Sequence, residues 1–376
     1  MRTIKRNILL NPGPATTTDS VKYAQVVPDI CPREKEFGYI MESISTELTR
    51  LVSDLEHYTT ILFGGSGTAA VESILSSVVG EGTLVIVNNG AYGQRMCDIA
   101  TAFRLKFIEF SSPVDDALDV TALEKLIRDS PCSISHLAVV HNETTTGLLN
   151  DIETIGKLCR RYQIDMIVDA MSSFGAIPIH MEEMNISYLA ASSNKNLQGI
   201  AGVAFVVAHK TKLESLKCQK TRNYYLNLYA QYKYFSETFQ MRFTPPVQTL
   251  YALKKAIEEL KQEGIKERYA RYSKSWYTLI NGIARFGLKH IVDKKDHSKI
   301  ITSILEPDCE GYDFEQMHDY LYSRGFTIYP GKLENLNTFR IANIGNITSK
   351  DIESFLKALS DYLREIGFIP RNEPHR

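Results

Sequence analysis

The sequence predicts an α/β protein, with a large domain organised around a mainly parallel sheet between helices and a smaller α+β domain at its C-terminal end. Three observations predict it. Short β-branched runs alternate with helix-like segments through the first half of the chain, the pattern of strands joined by helical crossovers. A long helical stretch then interrupts that rhythm, and the remainder mixes short strands with two helix-like segments. At 376 residues, 44% of them hydrophobic, the chain exceeds what one compact domain usually holds. The expected division is 16–270 for the large domain and 271–376 for the small one, with residues 1–15 packing near the site.

The elements follow in order. Residues 41–55 carry apolar side chains at helical spacing, and TTILFGGSGTAAVESILSSVVG reads as strand, glycine turn and helix. Strands are expected at 83–87, 106–110, 136–141, 165–168, 188–191 and 203–207, with helices at 120–129 and 152–162 between them. One helical stretch covers about 246–286. The small domain should then contain KIITSILEP, the helix-like FEQMHDYLYSRG, FTIYP, NTFRIANIG and a last helix beginning near Ser349.

Composition excludes several classes of function. With 43 Lys and Arg against 44 Asp and Glu, the formal net charge of -1 supplies no field that would attract nucleic acid or an anionic membrane. Neither is an expected partner. The six cysteines (Cys31, Cys97, Cys132, Cys159, Cys218 and Cys309) form no CxxC pair and have no histidine at ligand spacing, so they read as reduced thiols and no metal is expected. No apolar run approaches transmembrane length, and Ile8 to Leu10 is too short a run for the core of a secretion signal. A cytoplasmic protein is the expectation.

Four short motifs carry chemistry. Gly64-Gly65-Ser66-Gly67-Thr68 lies between an apolar strand and a helix; close backbone approach, free N–H groups and two hydroxyls suit a phosphate, although such a turn is often only a tight turn. It is neither a Walker loop nor a dinucleotide fingerprint. In Ile167-Val168-Asp169-Ala170-Met171-Ser172-Ser173 an apolar strand ends in an acid, where parallel sheets bind ligands. That carboxylate needs a cationic partner, a protonated pyridine nitrogen being one, unless Asp169 is simply a helix cap or turn residue. Lys195 follows the run ISYLAA within SSNKNLQG, a place for an amine whose pKa is lowered for imine formation, or else for a solvated loop lysine. In Thr338-Phe339-Arg340-Ile341-Ala342 alternation puts Arg340 opposite Phe339 and Ile341, as an anion clamp or a structural ion pair.

Taken together and in this order, the motifs resemble those of fold-type I pyridoxal-phosphate enzymes. Within them the chain resembles the 2-aminoethylphosphonate–pyruvate aminotransferases, in the subgroup of alanine–glyoxylate and serine–pyruvate aminotransferases. The resemblance runs over nearly the whole chain, through LLNPGPATTT, GGSGTAAVES, NNGAYGQR, HNETTTG, VDAMSSFG, SSNKNLQG, FTPPVQTLYAL and FRIANIG. It implies a sheet of the seven-stranded type and pyridoxal 5'-phosphate held as an internal aldimine on Lys195. Ser66, Gly67 and Thr68 would hold the cofactor phosphate, joined by Thr244 from the neighbouring subunit of a homodimer. Tyr92 would stack on the pyridine ring, Thr144 would lie near its phenolic oxygen, and Asp169 would pair with its nitrogen. Arg340 would bind the substrate's acidic group. The implied reaction is ping-pong, from 2-aminoethylphosphonate and pyruvate to phosphonoacetaldehyde and alanine.

The sequence departs from common family forms at Asn11, where LLTPGP is frequent, at Asn196 and at Met241. None is a proposed catalytic group, but each bears on donor preference, so an alanine–glyoxylate or serine–pyruvate type activity stands as the alternative. A desulfurase would need a loop cysteine, for which Cys309 is the candidate; a binding-only scaffold would not need Lys195 and Asp169. His136 and His141 read as packing or hydrogen-bonding histidines, the lysines of 254–266 as a solvated helix face, and the tyrosines of 224–234 as a packing or dimer surface.

Overall fold

The computed structural model describes residues 4–331, 333 and 336–368. The central sheet has seven strands: β1 (Tyr58–Gly64), β2 (Thr83–Asn88), β3 (Lys106–Ser111), β4 (Ile134–Val140), β5 (Asp165–Asp169), β6 (Ile186–Ser192) and β7 (Val203–His209). They lie in the order β1-β7-β6-β5-β4-β2-β3. β2 through β6 pair in parallel, whereas β7 runs antiparallel to both β1 and β6. All strands but β7 therefore deliver their C-terminal ends to the same edge.

Alternation along these strands feeds two cores. Val85, Val87, Leu137, Val139, Val168, Leu189 and Ala191 face one side, and Leu84, Ile86, Ala138, Val140, Ile167 and Ala190 the other. The first side is covered by α1 (Lys35–Arg50) and α4 (Val247–Glu263), the second by α2 (Gly67–Val78) and α3 (Ala91–Ala102). Both faces being dry, the strands read as nearly continuous apolar runs, and each fully buried Leu, Ile or Val contributes roughly 1.5–3 kcal/mol.

Several boundaries differ from the sequence expectation, among them the strands found at Ile186–Ser192 and Val203–His209 in place of 188–191 and 203–207. The helix expected at 41–55 is Lys35–Arg50: Phe37, Met41, Ile44 and Leu48 are its buried stripe, and after Arg50 the chain turns so that Asp54 accepts the His57 N–H at 2.7 Å ahead of β1. The single stretch at 246–286 is two helices, α4 and α5 (Ile265–Arg285), divided at Gly264, whose φ of +86° a helix cannot contain. The strand expected at 136–141 is shifted to Ile134–Val140.

The small domain is built on an antiparallel sheet of β8 (Ile301–Leu305), β9 (Tyr329–Pro330) and β10 (Thr338–Ala342), in the order β8-β10-β9. Phe339 and Ile341 of β10 meet Leu279 and Ile283 of α5 and Phe355 and Leu359 of the last helix, Ser349–Glu365. Near the N-terminus, Ile8–Leu9 adds in parallel to Phe326–Thr327, and Leu10 is fully buried in the same core. The division at 270/271 falls inside α5. Tyr272 there packs with Ala15, Ala176 and Ile177, while Leu279 and Ile283 belong to the small-domain core.

Candidate active site

Strand ends converge at the shared edge. β1 ends at Gly64, the chain turns at Gly65 (φ +148°), and Ser66 caps α2 without using its hydroxyl for a cap bond. The first N–H groups of a helix have no intrahelical acceptor, so Ser66, Gly67 and Thr68 offer donors to an anion. Gly67 is required by a close approach: a Cβ there would run into the Met171 side chain. That contact sets the start of α2 against the residue two beyond Asp169.

Asp169 is the last residue of β5 and is buried, 6% exposed. Its Oδ1 accepts the Met171 N–H at 2.9 Å, and its other oxygen takes no hydrogen bond from the described residues. Burial pushes this carboxyl up to about 6, against the Met171 bond that favours ionisation. Lys195 lies three residues past β6, and its Nζ donates to the Pro12 carbonyl at 2.7 Å. Burial pulls the amine down to about 8, opposed by the Asp169 carboxylate. The N-terminal segment is stitched here by Ala15 N–H donating to the Asn194 carbonyl at 3.0 Å, and a Cβ at Gly13 would collide with Lys195 Nζ. The NPGP turn thus shapes the room around the amine.

Tyr92 sits in the first turn of α3, with the Arg95 guanidinium 4.7 Å from its ring centroid. Both line a pocket together with Thr68, Asp169 and Met171. Thr144 is buried; its hydroxyl donates to Ser172 Oγ at 2.9 Å and its carbonyl accepts Arg340 Nη1 at 3.4 Å. Arg340 is fully buried on β10, opposite in direction to Phe339 and Ile341. Its Nε donates to the Pro330 carbonyl at 3.0 Å, the Tyr329 ring lies 5.0 Å away, and Nη2 is buried without an acceptor among the described residues. An unmet buried donor costs about 1–3 kcal/mol, more when charged. Nη2 is the part of the guanidinium that lacks a partner among the described residues.

Thr68, Tyr92 and Asp169 line the pocket; Gly67, next to Ser66, abuts Met171, Thr144 meets Arg340, and Lys195 feels the charges of Asp169 and Arg340. Thr244 is exposed and makes no hydrogen bond with the others among the described residues. Sequence reasoning missed the Pro12 carbonyl, Arg95 and Glu143. Arg95 was findable, three residues after Tyr92 on one helical face; Glu143 left the signal of an acid followed by three threonines shortly after a buried strand. Of the discounted residues, His141 Nδ1 pairs with Ser173 Oγ at 3.0 Å, and burial lowers the ring to about 4. The Cys309 thiol is engaged with the Ile366 carbonyl. Tyr224 and Tyr225 are exposed, Tyr225 stacking on Phe243.

A glycine turn opening a helix, a strand-end acid and a desolvated amine lie at one sheet edge, an arrangement suited to cofactor-dependent group transfer, and comparison with known proteins gives the family. Residues 19–332 match the model of the class-V aminotransferases. The chain belongs to that family, and is a pyridoxal-phosphate-dependent aminotransferase. Within it, the chain is 39% identical over 363 residues to a 2-aminoethylphosphonate–pyruvate transaminase of Klebsiella pneumoniae subsp. pneumoniae, covering 96% of this chain and 98% of that protein. A bifunctional phosphonoacetaldehyde hydrolase/aminoethylphosphonate transaminase of Clostridioides difficile is 37% identical over 361 residues, 95% of this chain and 56% of that one. Among solved structures, an alanine–glyoxylate aminotransferase from Nostoc sp. superposes with a TM-score of 0.89 at 26% identity, over 96% of this chain and 97% of that one. Among the described residues, no helix is long and apolar enough to cross a membrane.

Proposed function

We propose that this enzyme transfers the amino group of 2-aminoethylphosphonate to pyruvate, releasing phosphonoacetaldehyde and alanine. The observation that carries the reading is Arg340: a fully buried guanidinium with Nη2 unmet, set across Thr144 from the cofactor residues. Both substrates are anions: one carries a phosphonate at the far end of its aminoethyl chain, the other a carboxylate bonded directly to the reacting carbonyl carbon. One guanidinium end can pair with phosphonate in the first half-reaction and carboxylate in the second.

The residues fit pyridoxal phosphate. Among the described residues Asp169 has one oxygen without a hydrogen bond, Ser66 keeps its hydroxyl out of the cap, and Lys195 is an amine whose charged form burial disfavours. When bound, the cofactor supplies an electrophilic aldehyde and an electron-accepting ring. Asp169 would face the ring nitrogen and hold its proton by opposite charge. Ser66, Gly67 and Thr68 would take the phosphate, with Thr244 reaching it from a second subunit. Tyr92 would cover a ring face and Thr144 would lie beside the phenolic oxygen. Lys195, near neutrality partly unprotonated, provides the nucleophilic amine and, once free, moves the proton at the substrate carbon. Exposure of Thr244 supports a homodimer, and six unpaired thiols support a reducing, cytoplasmic setting.

A half-reaction titration tests this reading. Loss of the cofactor's absorbance band should saturate with 2-aminoethylphosphonate in the wild type and shift to far higher concentration in Arg340→Ala. Faster consumption of serine or alanine with glyoxylate than of 2-aminoethylphosphonate with pyruvate would assign the enzyme to the alanine–glyoxylate or serine–pyruvate type instead.

A further inference from the structure

Glu143 is the buried acid that the mechanism does not use. It is 0% exposed and has no ion-pair partner within salt-bridge distance among the described residues. Four donors converge on it: the Thr145 N–H at 3.0 Å and hydroxyl, the Tyr92 N–H at 3.3 Å and the Gly93 N–H at 3.4 Å. Every one of these contacts is donated to the carboxyl, which is the pattern of an ionised, acceptor-only group. Burial pushes its pKa up, and the same donors oppose that shift.

These bonds act on the start of α3. Its N-cap residue is Gly90, which has no side chain to cap with. A Cβ there would fall 2.5 Å from the Glu143 carboxyl carbon, so glycine is what admits the acid. Glu143 takes the N–H groups of the second and third helical residues, the usual task of an N-cap side chain, and its negative charge meets the positive end of a 12-residue helix. Thr145 completes the cap, since its hydroxyl accepts the Ala91 N–H at 3.0 Å while donating to Glu143. The second helical residue is Tyr92, the aromatic ring of the cofactor cavity, so the backbone atom that Glu143 holds belongs to the residue whose side chain would stack on the pyridine. The residue after Glu143 is Thr144, with its carbonyl on Arg340 and its hydroxyl on Ser172.

We infer that Glu143 is a positioning residue: a carboxylate delivered from the end of β4 that fixes where the Tyr92 ring stands and so sets the affinity for the cofactor. This rests on the reading of Tyr92 as the stacking residue. In place of a helix's own cap, a side chain from the strand next door ties the aromatic platform to the sheet edge that bears Asp169.

A double-mutant cycle on cofactor affinity tests it, with pyridoxal phosphate dissociation measured by equilibrium dialysis and the cofactor band recorded by circular dichroism. Glu143→Gln keeps the shape but turns one acceptor into an amide donor facing N–H groups. It should weaken cofactor binding about tenfold and change the band's ellipticity. In a Tyr92→Ala background the same change should alter affinity less than about twofold, because the ring it positions is gone. Full additivity of the two losses would overturn the proposal. Tyr92→Ala with wild-type affinity would instead overturn the stacking reading itself, so the two failures are distinguishable. Thr145→Val, which removes the bridging hydroxyl at constant shape, serves if Glu143→Gln does not fold; it should show the same loss and the same dependence on Tyr92, and additivity would overturn the proposal there too.

Discussion

Two buried guanidinium neighbourhoods lie on either side of the Lys195 loop, and they are finished to different degrees. Arg268, 2% exposed, gives its Nε to Glu263 at 2.7 Å and an Nη1 hydrogen to the Asn196 carbonyl at 2.5 Å. Arg271 gives Nε and Nη2 to the same Glu263, and Nη1 to the Gly345 and Ile347 carbonyls at 2.9 and 2.7 Å. Between these two arginines the Glu263 carboxyl is held below its usual range. Arg340 is buried as deeply, but among the described residues it has two carbonyl partners, no carboxylate, and an unmet Nη2, and burial lowers its pKa. Lys195 and Asp169 are likewise shifted toward their neutral forms. A charge network completed by the protein braces; one left incomplete is available to a ligand, at a cost in the free protein's stability. The braced network also serves the other, because Arg268 holds the carbonyl of the residue after Lys195, and Gln198 of the same loop donates to Tyr272 Oη at 2.9 Å.

The contrast breaks most sharply at the amine. Lys195→Ala should lower turnover by at least about 10⁴-fold while the far-UV circular dichroism stays that of the wild type; near-normal turnover would remove the lysine from the mechanism. Next comes the braced side. Arg268→Ala leaves the half-buried Glu263 with Arg271 alone and the Asn196 carbonyl without its donor, and should cost about 2–3 kcal/mol of unfolding free energy, read from urea midpoints at constant slope. A loss under about 1 kcal/mol would mean that the network is ornamental, as many surface pairs are. On the open side, Arg340→Met keeps side-chain volume and deletes the charge. It should raise KM for both anionic substrates about a hundredfold with stability unchanged or higher by about 1 kcal/mol. A marked loss of stability would put Arg340 with Arg268, as structure.

Much of this was legible from the chain. β-branched runs buried on both faces announce the parallel sheet, and Asp169, Lys195 and Arg340 are visible because a charged residue at a strand end or within an apolar strand needs an explanation. What escaped has physical reasons. Gly264 splits a pattern whose apolar spacing runs on through it, and an isolated glycine does not say whether its φ is positive. The polar opening of α1 before Phe37 carries no periodicity to read. The Pro12 carbonyl that meets Lys195 is a backbone atom, which no residue type marks. Glu143 owes its role to N–H groups about fifty positions away, brought beside it only when β2 and β4 pair.

The smallest effect is the most discriminating, because it reads stability where the open site is said to cost some. In the cofactor-free protein the Lys195 amine titrates at about 8 against an ordinary 10.5. Between those values the unfolded chain binds the extra proton and the folded one does not, so stability rises with pH across that window and levels off above it. Below pH 8 the folded state holds a charged amine that burial disfavours, a cost of about 3 kcal/mol at about 1.4 per unit. Lys195→Met removes that cost and forfeits the hydrogen bond to Pro12, worth about 1 kcal/mol. At pH 7 the variant should therefore be the more stable by on the order of 2 kcal/mol, and its advantage should vanish as pH climbs from 8 toward 10.5 while the wild type catches up. Parallel pH profiles for the two proteins would show that this amine sits no less comfortably than a solvated lysine, and the distinction between braced and open charges would fail at the residue where it matters most.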